Sequence, residues 1–118
     1  MFKGFEKLKT YHGALNSVTD ASHMFENCSN LSEVTIHDSP HLIKCYYMFN
    51  SCQALNENNF WLNDTGTIEN GVAMFSGTGI TENFFGENPK MTFPKLYSAK
   101  RMFQNSNVSG SLHIDFDK

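Results

Sequence analysis

The chain has 118 residues, 18% of them charged, and a formal net charge of -3. That length suits one domain with its own core, and the charge leaves no basic footprint for nucleic acid or anionic lipid. No apolar run approaches the roughly 18 residues a membrane span needs, and Met1-Phe2-Lys3-Gly4-Phe5-Glu6-Lys7 lacks the apolar block of a secretion signal, so neither membrane insertion nor a leader is expected here.

In chain order, the first element is a partial unit, Met1-Phe2-Lys3-Gly4-Phe5-Glu6-Lys7-Leu8. Its Met-Phe pair returns at Met24-Phe25, Met48-Phe49, Met74-Phe75 and Met102-Phe103, the four full copies being separated by 24, 26 and 28 residues. A regular period of that length marks a solenoid, and the chain is expected to form a single repeat domain over 1–118. It opens partway through a unit and closes just after the strand-like Leu112-His113-Ile114-Asp115-Phe116, so it looks cut at both ends.

Aligning the copies gives columns. Six residues before each Met stand Val18, Leu42, Ile68 and Leu96; three before it stand the small Ala21, Cys45, Gly71 and Ala99; four after it stand Cys28, Cys52, Thr78 and Ser106. Together with the Phe one residue after each Met, these positions step by three, four and three, the spacing of one helix face, so a short helix is predicted around each Met-Phe pair. Phe25, Phe49, Phe75 and Phe103 should then stack as an aromatic ladder.

Past the aliphatic Leu31, Leu55, Ile80 and Val108, the pattern alternates as a half-buried strand does. Ten residues after each Met come Tyr11, Val34, Asn58, Phe84 and Leu112, and twelve after come Gly13, Ile36, Phe60, Gly86 and Ile114. These are the expected inward columns. The fold class expected is an α/β repeat, a leucine-rich-repeat-like solenoid with about 23–28 residues per strand-turn-helix unit. It would carry a parallel sheet on one face and short helices on the other. The longer copies place their extra residues in Asn63-Asp64-Thr65-Gly66 and in the Gly- and Pro-bearing stretch 86–94, between strand and next helix.

The unit Met24-Phe25-Glu26-Asn27-Cys28-Ser29-Asn30-Leu31-Ser32-Glu33-Val34-Thr35-Ile36 resembles the BspA-like leucine-rich repeats of surface proteins, which carry Met-Phe-x-x-Cys-x-x-Leu in long arrays. The resemblance spans almost the whole chain. It implies a right-handed solenoid for adhesion or recognition at a bacterial, protist or viral surface, and no enzyme. Localisation follows the parent: extracellular or cell-surface within a longer exported protein, otherwise virion-associated.

Chemistry-bearing patterns are few. His113, Asp115 and Asp117 share one strand face, yet alternate residues over such a strand spread about 13 Å, too far for one metal ion. His37, Asp38 and His41 form another local cluster, and the reading for both is a polar surface without metal or cofactor. No nucleophile or phosphate-loop motif occurs, and Gly77-Thr78-Gly79 fills a turn slot. Three cysteines cannot all pair; Cys28 and Cys52 share the column that Thr78 and Ser106 also fill, so buried thiols are expected, with a Cys28–Cys52 bridge as the alternative. The glycosylation-like triplets at Asn27, Asn30, Asn63 and Asn107 are chance matches in an Asn- and Ser-rich chain.

The expected function is therefore binding. Trp61 stands outward beside core residue Phe60, and with Glu33, Thr35, His37, Asn59, Phe85, His113 and Asp115 it forms the candidate face for a protein or glycan. Apolar columns at the open ends predict contact with further repeats, a second copy or a larger assembly. The alternative is a structural part of a virion tail or capsid decoration.

Overall fold

The computed structural model describes residues 2–81, 84 and 93–106. Three short strands form its sheet: β1 (Thr10–Gly13), β2 (Glu33–Ile36) and β3 (Phe60–Leu62), parallel and in that order. Alternation sets their faces. Val34 and Ile36 of β2 and Phe60 and Leu62 of β3 are buried, while Glu33, Thr35 and Trp61 point outward.

The expected α/β leucine-rich-repeat-like solenoid is overturned. Among the described residues there are three strands and two 3-10 turns, Glu57–Asn59 and Thr65–Thr67, but no α-helix. They form a small body of 34 × 27 × 23 Å rather than an extended strand-turn-helix array. The reason lies in the backbone around each Met-Phe pair. The residue before Met and the third after it adopt left-handed φ in every case: His23 and Asn27, Tyr47 and Ser51, Ala73 and Gly77, Arg101 and Asn105. An α-helix cannot run through such residues.

Each segment is instead a run of tight turns. Met24 N–H donates to Ala21 O at 3.1 Å, Cys28 N–H to Phe25 O at 3.1 Å and Leu31 N–H to Cys28 O at 3.1 Å. Turns three residues long reproduce the three-and-four spacing of a helix face. The remaining donors go sideways: Phe25 N–H donates to Met48 O, Phe49 N–H to Met74 O and Phe75 N–H to Met102 O, each at 2.9 Å. Isolated parallel bridges at Asp20–Lys44, Lys44–Asn70 and Asn70–Ser98 continue this lateral pairing. Backbone groups satisfied by a neighbouring segment are not left for i-to-i−4 bonds.

The aromatic ladder forms as expected. Phe25 stacks on Phe49 at 5.4 Å and 4°, Phe49 on Phe75 at 5.7 Å and 5°, and Phe75 on Phe103 at 5.6 Å and 9°, with Phe2 stacked on Phe25 at the other end. Phe60 crosses Phe49 and Phe75 edge-on, so the strands lock onto the ladder; each such pair adds about 0.5–1.5 kcal/mol beyond area burial.

The small column after the Phe demands more than smallness. Cys28 Sγ donates to Phe2 O at 3.0 Å and Cys52 Sγ to Phe25 O at 3.1 Å, whereas Thr78 and Ser106 donate their hydroxyls to Phe75 O and Phe103 O. A compact donor is the shared requirement. All three cysteines are free and buried, and burial pushes the Cys45 and Cys52 thiols up, Cys52 to about 12.

Register corrects a second expectation. Val34 pairs with Phe60 and Thr35 with Trp61, so β3 sits two residues later than a fixed offset from Met placed it. The extra residues of this copy lie before β3, in the 3-10 turn Glu57–Asn59, and not in Asn63-Asp64-Thr65-Gly66. A shift of two keeps Phe60 inward and Trp61 outward.

Candidate recognition face

Strand register brings the outward side chains of three distant segments together. His12 pairs with Thr35 and Thr35 with Trp61, giving a row across β1, β2 and β3. Beside it, Thr10 pairs with Glu33. His12 Nε2 lies 2.6 Å from Glu33 Oε2, a pair half open to solvent that adds little stability but fixes one carboxylate oxygen.

Between β2 and β3 these side chains line an open groove of about 230 Å³, formed by Glu33, Thr35, Asn58, Asn59, Phe60 and Trp61. Phe60 is its buried base and Trp61, 44% exposed, its aromatic surface. Asn58 and Asn59 supply a carboxamide wall from the 3-10 turn, which two contacts hold. Asn56 caps it, its side-chain oxygen accepting from Asn58 N–H at 2.9 Å. Glu57 turns inward and binds Thr81, accepting from its N–H at 2.9 Å and its hydroxyl at 2.8 Å.

Of the residues expected on this face, Glu33, Thr35, Asn59 and Trp61 converge in the groove. His37 follows β2 and is exposed, with its N–H bonded to Gly13 O and its carbonyl accepting from Asn63, and it lies outside the groove lining. Phe85, His113 and Asp115 lie outside the described residues, as does the expected strand Leu112–Phe116. Two participants were not anticipated. Asn58 was placed inward but is exposed in the groove because of the two-residue shift. His12 stood in the same column as Thr35, the only signal that pointed to it.

Among the described residues, larger hollows lie elsewhere, of about 310 Å³ around Thr19, His41, Ile43 and Glu69 and about 460 Å³ around Gly4, Asn27, Ser51 and Gln53. Neither holds an indole or phenyl ring, so the smaller groove is chemically the more selective. Among the described residues no three His, Cys, Asp or Glu side chains are grouped to hold a metal ion.

A family model described as "Mycoplasma protein of unknown function, DUF285" matches residues 1–113. No curated protein and no solved structure matches the chain.

Proposed function

This chain belongs to the DUF285 family, and on that premise we propose that it is a non-enzymatic recognition module, holding a protein or glycan on its outward sheet face at a cell or particle surface. The observation that carries the reading is the convergence of Trp61 with Glu33, Thr35 and Asn59 in one open groove. An exposed indole on a parallel sheet costs solvation, and contact surfaces favour such rings because they offer large rigid area with little ordering entropy. The likeness of the Met-Phe-x-x-Cys-x-x-Leu units to those of BspA-like surface proteins supports the same class of role. Strands about 4.8 Å apart hold the side chains at fixed spacing before any ligand arrives.

The test is saturable binding of the wild-type chain to a panel of immobilised extracellular glycoproteins, compared with Trp61→Ala. At least about tenfold weaker binding by the variant is expected, a difference of about 1.4 kcal/mol. Equal binding by the two chains, or none by either, would sink the reading.

A second reading, a structural part of a larger assembly, is favoured by a mainly apolar hollow of about 230 Å³ lined by Leu15, Val18, Ala21 and Met24 with Asp20 and Ser22. Sedimentation of the chain at rising concentration tests it, and a clean monomer throughout counts against it.

A further inference from the structure

Resting on the recognition reading, we infer that the groove between β2 and β3 binds one uncharged hexopyranosyl unit of a glycan. The groove carries one exposed aromatic side chain, Trp61, over the buried Phe60 and beside Glu33, Thr35, Asn58 and Asn59. A pyranose ring has the matching pattern: a face of C–H bonds, which packs on an indole, and a rim of hydroxyls. Each carboxamide offers that rim both a donor and acceptors, and a carboxylate oxygen accepts a hydroxyl.

Size and charge narrow the ligand. A hollow of about 230 Å³ falls below the roughly 300–1,000 Å³ of drug-sized sites and suits one ring. A protein partner would seek a cluster of apolar side chains depleted of charge, over about 800 Å² per side. Among the described residues, the other large exposed apolar side chains, Phe5, Ile43 and Tyr97, do not line this groove. Glu33 is the charged side chain in the lining, and His12 occupies its Oε2, leaving Oε1 for the ligand. An acidic sugar would meet that carboxylate and be repelled.

The turn is also held before binding. Asn56 caps it at Asn58 N–H, and Glu57 anchors it to Thr81, so the backbone that carries the two carboxamides needs little ordering when a sugar enters.

Trp61 is the sole tryptophan of the chain, so emission excited at the red edge of indole absorption, beyond that of the four tyrosines, reports this groove. Titration of the full chain with methyl glucopyranoside, galactopyranoside and mannopyranoside should give a saturable emission change with at least one of them. Glucuronate should bind at least about tenfold more weakly, and Asn59→Ala, with unchanged thermal unfolding, should lose about tenfold. No change with any of the three neutral sugars overturns the inference, as does wild-type affinity in Asn59→Ala or equal affinity for glucuronate. The glycoprotein assay separates the two levels of argument. If the sugars fail while Trp61→Ala still abolishes glycoprotein binding, only the sugar assignment falls and the partner is a protein surface. If Trp61→Ala binds as wild type, the recognition reading falls with it.

Discussion

Glu57 spends both carboxylate oxygens on Thr81, 24 residues further along the chain, and in doing so pins the turn that carries Asn58 and Asn59. The carboxyl side chain is almost fully buried, so its partners cannot be replaced by water without rearrangement. Glu57→Ala should lower unfolding free energy by about 1.5–3 kcal/mol, the range for hydrogen bonds to a charged group. Glu57→Gln, which keeps the shape and one acceptor, should lose less. Urea unfolding followed by Trp61 emission checks both, and an Ala variant within about 0.5 kcal/mol of wild type would show the clasp to be idle.

The phenylalanine stack and the exposed indole should respond in opposite ways to truncation. Phe49 is fully buried between Phe25 and Phe75. Phe49→Ala should cost about 3–5 kcal/mol, through lost transfer energy and the cavity left behind. Trp61→Ala, at the surface, should stay within about 0.5 kcal/mol of wild type while weakening binding. Chemical denaturation of the two variants side by side tests the contrast; comparable losses would mean that Trp61 belongs to the core.

Thiol chemistry follows from burial. Cys45 and Cys52 are fully buried, and burial raises the thiol of Cys52 to about 12 and that of Cys45 further still. The native chain at pH 8 should therefore react slowly with an aromatic disulfide reagent, and all three cysteines should react at once in urea. Cys28→Ser should fold with a loss under about 1 kcal/mol, because a hydroxyl there can donate to Phe25 O, three residues back, as Ser106 does to Phe103 O and Thr78 to Phe75 O. Rapid labelling of two thiols in the native state would contradict the packing described above.

Acid should weaken the fold partly through Glu26. Its burial alone would raise the carboxyl, but hydrogen bonds from Asn50, His23 and Lys3 outweigh that and hold it below the ordinary value of 4.5. Asn50 Nδ2 donates to Oε2 at 2.9 Å, while His23 Nδ1 and Lys3 Nζ stand 2.8 and 3.2 Å from Oε1. A depressed folded pKa stabilises above the unfolded value and is lost as pH falls through the folded one, so this contribution is complete above about pH 5 and fades below about 4.5. Asn50→Ala removes one of the bonds opposing burial and should shrink that pH dependence. Urea midpoints between pH 3 and 7 decide the matter; an unchanged slope in the variant would remove Asn50 from the account.

The buried columns were legible because identical residues recur at them: the ladder Phe25, Phe49, Phe75 and Phe103 could be read before any coordinate. The helices were misread because a chain of three-residue turns shares the helix's three-and-four spacing, and spacing carries no information on where an N–H finds its acceptor. Left-handed φ at Tyr47 or Arg101 leaves no mark in residue type, unlike Gly77 and Asn27, whose types tolerate it. The candidate face was half legible. Trp61 stood out as an apolar residue on a polar side, whereas Asn58 and His12 depended on register.

By itself, the sequence determined the buried columns around the Met-Phe pairs and the inward faces at Val34, Ile36 and Phe60, since apolar periodicity is a local property that burial must obey. It also determined that a small residue suits the column of Cys28, Cys52, Thr78 and Ser106; that each is also a hydrogen-bond donor to a backbone carbonyl came from the structure. Only the tertiary structure decided that the Met-Phe segments are turns bonded sideways and not helices, and that Thr35 faces Trp61 across β2 and β3. Those outcomes depend on backbone partners more than 20 residues apart, and a shift of two along a strand leaves its alternation unchanged.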